Sequence, residues 1–391
     1  GADKINIFVS SEGGTEYAYS YKSSFHQDGK YSSKYSGASK YTNNYKNNFE
    51  SFNSTYNYSG SYLNSWAYQG SYQFDGVSKG SYGYNYKNSV DFGYAVGVQN
   101  SLINTGSGND TFNLISDGIN NSIGLLNTRL NTGSGNDLIK ITGDIYRSEI
   151  YADSGNDRII LNGGGERSKI YGGSGNDYIA GGSSNDTLYG QSGQDKIYGG
   201  KGDDRLDGGS GNDILNGGFG NDLMIGSSGN DTYIFGEGND IIDYSQLEES
   251  ITLIRGGKVD KGSLGTDTFS DFYKTIIASN KDNDWIDGQT GGGEIASLDI
   301  DLSKESLKVN NLPGSGSFLS SVRNFENVRG SENADTIKGD EYSNTLIGNG
   351  GDDKLYGQSG QDKIYGGKGD DYIAGGSSSD KLYGQRGKDK I

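Results

Sequence analysis

Through two long stretches of this chain, apolar residues recur every nine positions, each separated from the next by glycines and an aspartate. The unit YGGSGNDYI begins at Tyr171 and is followed without a break by AGGSSNDTL, YGQSGQDKI, YGGKGDDRL, DGGSGNDIL, NGGFGNDLM, IGSSGNDTY and IFGEGNDII. A period of nine fits no amphipathic helix; it predicts short strands with an inward Ile or Leu, joined by tight turns whose glycines permit left-handed backbone. Two units make one coil, so residue i stacks near i+18, with neighbouring coils about 4.8 Å apart. The expected fold is all-β, a parallel β-roll or β-helix solenoid.

The pattern divides the chain into five segments. Residues 171–242 are the first array and residues 329–391 a second, and YGQSGQDKIYGGKGDD occurs in both, from Tyr189 and from Tyr356. Residues 95–170 repeat the acidic turn at intervals of 27, 20 and 20 residues, which predicts wider coils with Asp110, Asp137, Asp157 and Asp177 in line. Residues 243–328 are a β spacer continuing or capping the solenoid. Within it ASNKDNDWIDG is similar to RGSENADTIKG at a shift of 51, which would set Asp284 opposite Asp335. Residues 1–94 are rich in Tyr, Ser and Asn, and their period-two aromatics (YAYSY, YGYNY) fit either strands with stacked tyrosines or a low-complexity tail.

The chemistry lies in the turns. Stacking sorts the first array's aspartates into two columns, Asp177, Asp195, Asp213 and Asp231 on one edge, and Asp186, Asp204, Asp222 and Asp240 on the other. The second array contributes Asp335, Asp353, Asp362, Asp371, Asp380 and Asp389, with Asn344 where another carboxylate is due. Carboxylates at coil spacing repel unless a divalent cation lies between them, and hard carboxylate and carbonyl oxygens suit Ca²⁺. With Asp110, Asp137 and Asp157, these are the candidate metal ligands. Ser184, Ser378, Tyr342 and Asn333 stand where a turn glycine is expected, which predicts weaker or empty sites there.

These residues match G-G-x-G-x-D-x-U-x, and the chain thereby resembles the RTX, or hemolysin-type, calcium-binding repeat proteins over about two-fifths of its length. The resemblance implies calcium-binding β-rolls, type I export of an unfolded chain from a low-calcium cytosol, and folding outside the cell. A looser likeness, in composition and domain style, is to RTX proteins of bacterial surface layers and fibrils.

Composition narrows the function. Only 31% of the residues are hydrophobic, 67 are glycine and the net charge is −17, so the chain needs folding energy from outside and its natural partners are cations. Nucleic acid is a poor partner, since phosphate binding requires Lys and Arg. No apolar run reaches the ~20 residues that cross a bilayer. With a single histidine, His26, no H-E-x-x-H, no G-x-S-x-G and no P-loop, the chain is not expected to be an enzyme. The expected role is a calcium-dependent structural protein of the extracellular surface, self-associating into a layer, sheath or fibril. A calcium-dependent adhesin binding surface polysaccharide and the repeat part of a larger secreted enzyme or toxin are the alternatives. The second array reaches Ile391 without the polar cap that solenoids need, which predicts a longer protein with further repeats.

Overall fold

The computed structural model describes residues 102–116, 123–164, 168–254, 257–269, 274–288, 296–312 and 316–391, and before residue 102 only the backbone of short strands. The chain forms two compact units, Gly1–Gly220 and Asn221–Ile391, divided inside the first nonapeptide array. Each is a parallel β-solenoid, as the nine-residue pattern predicts.

In the first unit, one sheet stacks Leu102–Asn104, Arg129–Asn131, Glu149–Ser154, Lys169–Ser174, Thr187–Ser192 and Arg205–Ser210 in parallel. The facing sheet stacks Thr111–Ser116, Leu138–Ile141, Arg158–Leu161, Tyr178–Ser183, Lys196–Lys201 and Ile214–Phe219. Once the period settles at 18, Ile170 pairs with Leu188 and Leu188 with Leu206, while Ile179, Ile197 and Leu215 form the opposite file. All six are buried, and each contributes about 1.5–3 kcal/mol of apolar burial. That is how so glycine-rich a chain still builds a core.

The wider upstream coils have a specific cause. Val96–Gln99, Ile123–Leu126 and Asp144–Tyr146 form an additional three-stranded parallel sheet, which the 18-residue coils lack. Ahead of the coils, the backbone of Asp3–Glu12 runs parallel to Thr111–Ser116 and antiparallel to Thr15–Phe25. The tyrosine ladders expected within residues 17–94, and His26, lie outside the described side chains.

In the second unit the spacer continues the solenoid by a different device. One sheet passes from Thr232–Glu237 to Thr266–Phe269, and then antiparallel through Lys258–Asp260 and Thr252–Ile254, before parallel stacking resumes at Trp285–Asp287 and Asn327–Arg329. The other passes from Ile241–Asp243 and Thr275–Ile277 to Gly316–Arg323, then antiparallel through Ser306–Leu312 and Ser297–Asp301, to Thr336–Lys338. Each sheet thus accommodates a meander where the nonapeptide period breaks. The meanders change one expected neighbour: Asp284 lies beside Glu326, whose Oε2 accepts the Asp284 N–H at 2.8 Å, and not opposite Asp335, which instead accepts the Leu298 N–H through Oδ1 at 2.6 Å.

Candidate metal centres

The repeat turn requires left-handed backbone. Gly173 and Gly175 sit at φ of 122° and 123°, and a Cβ on Gly175 would strike the carbonyl oxygen of Gly155 one coil away. Ser184 and Ser378 are held in the same region, at φ of 130° and 97°, a backbone that costs about 1–3 kcal/mol for a residue with a Cβ.

That turn delivers each aspartate to a ladder. Asp137 Oδ1 accepts the N–H of Asp110 at 2.7 Å, Asp157 Oδ1 that of Asp137 at 2.7 Å, and Asp177 Oδ1 that of Asp157 at 2.8 Å. The column continues through Asp195 and Asp213, and a second one joins Asp186 to Asp204, all at 2.8 Å. In the second unit Asp222 donates to Asp240 Oδ1 at 2.9 Å, and the steps Asp335 to Asp353 to Asp371 to Asp389 span 2.8, 2.9 and 3.1 Å. Asn344, Asp362 and Asp380 form the matching column, at 2.8 and 3.1 Å. The predicted stacking, including the irregular upstream turns, is therefore present within each unit.

Only one oxygen of each carboxylate is used this way. The Oδ2 atoms of Asp137, Asp157, Asp177, Asp186, Asp195, Asp353, Asp362 and Asp371 are buried with no hydrogen-bond partner. Leaving an ionised oxygen in that state is costly. Burial accordingly pushes these carboxyls up, Asp137 to about 6, Asp157 and Asp195 to about 7, Asp186 and Asp353 to about 8, with like charge from stacked neighbours adding to the shift. The amide donated to each Oδ1 of Asp137, Asp157, Asp195 and Asp353 acts in the opposite sense.

The turns have the donor chemistry for a hard cation. A Cβ on Gly190 would meet both Asp195 Oδ2 and the carbonyl oxygen of Gly208, and one on Gly199 both Asp204 Oδ2 and the Gly217 carbonyl. Carboxylate and carbonyl oxygens thus converge on space that only glycine leaves open. No three Asp, Glu or His side chains come together among the described residues. An ion in these turns would be held by carboxylates of successive coils together with turn carbonyls. These residues fit calcium, which supplies the charge that the stacked carboxylates lack.

Several candidates sit in a different environment. Asp335 accepts from the N–H of Ser331 at 2.6 Å and from its hydroxyl at 3.0 Å; Asp284 accepts from Ser279 Oγ at 2.9 Å. Asp240 Oδ2 lies 2.7 Å from Lys274 Nζ, and Asp231 Oδ2 lies 3.3 Å from Lys261 Nζ. Asn344 accepts the Asp340 N–H through its side-chain oxygen at 2.9 Å and donates its amide to the Glu326 carbonyl at 3.0 Å. One acidic turn lies outside the two uninterrupted arrays: KGSLGTDTF, Lys261 to Phe269, is a nonapeptide 36 residues beyond IGSSGNDTY, and Asp267 Oδ1 accepts the Asp231 N–H at 2.9 Å. The shift of 36, twice the coil length, was the available signal. Nothing in the motif flags Lys274, Ser279 or Ser331.

The fold and its turns define a parallel β-solenoid with cation-binding edges. Residues 151–188, 171–206, 181–215, 207–242, 329–364 and 356–391 match the RTX calcium-binding nonapeptide repeat. These segments are RTX calcium-binding repeats, and the protein binds calcium at multiple sites. No curated protein matches the chain. Among the described residues, no helix is long and apolar enough to cross a membrane.

Proposed function

We propose that this protein is a non-catalytic structural element of the extracellular surface, folded and stiffened by calcium and assembled into a layer, sheath or fibril. The observation that carries the reading is the file of buried carboxylates whose second oxygen has no donor, from Asp137 to Asp195 and again from Asp353 to Asp371. Such a column favours an open chain where calcium is scarce and a closed solenoid where it is abundant. The cytosol and the exterior differ in that respect, so the fold is suited to passage in one state and service in the other.

A stiff outer face supports assembly over adhesion. Tyr151, Tyr171 and Tyr189 stack with ring centroids 4.6 and 4.9 Å apart and planes within 8° of parallel. Because each ring face covers the next, the file offers edges, while a sugar ring packs on an aromatic face. Electron microscopy of the full chain with calcium and with chelator tests the proposal. Ordered filaments or sheets in calcium alone are expected; dispersed monomers that bind surface polysaccharide would support the adhesin in its place.

A further inference from the structure

Two lysines occupy places in the second unit where a cation is otherwise needed. Lys261 is 0% exposed. Its ammonium donates to the Ser227 carbonyl at 2.6 Å, to Asp231 Oδ2 at 3.3 Å, and to Asp267 Oδ1. Lys274, also buried, donates to the Gly238 carbonyl at 2.7 Å and the Gly236 carbonyl at 3.4 Å, and pairs with Asp240 Oδ2 at 2.7 Å. Ser227 and Gly236 both stand four residues before the aspartate of their turn. The two ammonium groups therefore touch the same oxygen types, from the same turn positions, that leave an unpartnered carboxylate in the regular coils.

Sequence register shows how this arises. Thr275 pairs with Ile241, so Lys274 takes the place on its coil that Asp240 takes one coil earlier. The column Asp222, Asp240 thus continues with its charge inverted. Lys261 opens the nonapeptide whose aspartate is Asp267, and reaches back to the turn before it. Tyr244 completes that cluster by donating to Asp267 Oδ2 at 2.9 Å. The serine hydroxyls on Asp284 and Asp335 extend the same logic to neutral donors.

We propose that Lys261 and Lys274 are built-in cations that replace calcium at the Asp231, Asp267 and Asp240 turns, so that this part of the solenoid closes without metal. The coils around residues 222–288 then serve as a preformed end on which the calcium-dependent coils of residues 329–391 build. The inference rests on the regular turns holding calcium, and its test separates the two.

Calcium bound per chain is measured by native mass spectrometry on the full protein and on Lys274→Asp, which restores the column's carboxylate. The wild type is expected to bind several ions and the variant one more. Unchanged stoichiometry in a variant with wild-type circular dichroism overturns the substitution; a wild type binding no calcium overturns the underlying reading. Should the variant fail to fold in saturating calcium, hydrogen exchange of the wild type in chelator decides. Protection of the Asp231 and Thr275 amides, against rapid exchange at Asp353 and Asp371, is expected. Equal exchange at both sets overturns the proposal.

Discussion

Asp195 holds Asp177 from one coil away: its Oδ1 accepts the Asp177 N–H at 2.8 Å, while its Oδ2 is buried with no partner. One carboxylate therefore does two opposed things. It ties successive coils together through a backbone amide and leaves a charge in low dielectric that a bound cation or a proton relieves.

Because of that opposition, Asp195→Asn should change sign with calcium. The amide oxygen still accepts from Asp177, but the charge that would hold calcium is gone. In calcium the variant is expected to melt lower, by about 2.7 kcal/mol if a site held at a hundred times its dissociation constant is lost. In chelator it should melt higher than the wild type, since a buried charge has been removed. Thermal melts of both proteins under both conditions check this; a lower melt in chelator as well would contradict the account.

The pH response of the metal-free form has a definite direction. The folded carboxyls sit at about 6 to about 8, above the ordinary value of 3.8. The folded state therefore holds protons more tightly than the unfolded chain. Its stability from these groups is fully present below about pH 4 and is lost as pH rises through the range from about 6 to about 8. Metal-free melts should fall between pH 5 and pH 8.5. Calcium affinity should rise over the same interval as ion and proton compete for the same oxygens.

The column and the core could be read from the chain because both depend on local identity repeated at fixed spacing. Asp177 and Asp195 are in register because Ile170 and Leu188 are, and a nine-residue period fixes both. What the period did not show is where the solenoid changes device. Asp284 shares a motif with Asp335 yet lies in the other sheet's edge, because the meander through Ser297–Asp301 and Ser306–Leu312 shifts the chain between sheets. Lys274 was invisible for a similar reason. Its partner Asp240 is 34 residues away, a distance set by an insertion and not by the repeat.

Calcium titrated into metal-free full-length protein should produce a cooperative gain of β-sheet circular dichroism, because an ion held by carboxylates of successive coils would order both, and an ordered coil presents a finished edge to the next. Magnesium should substitute poorly, as it demands a tight octahedral shell and dehydrates reluctantly. An equal response to both ions would mean that simple charge screening suffices.

The serine turn provides the converse test to charge removal. Ser184 is held at φ 130°, where Gly175 of the regular turn sits at 123°. Ser184→Gly removes backbone strain of about 1–3 kcal/mol at an entropic cost of about 0.5–1 kcal/mol in the unfolded chain. A net gain is expected, together with tighter calcium binding at the Asp186 turn. Gly175→Ser should do the reverse and lose more, because its Cβ would also collide with the Gly155 carbonyl. Melting temperatures of the two calcium-loaded variants are the measurement, and shifts in the same direction would show that turn strain does not limit these sites.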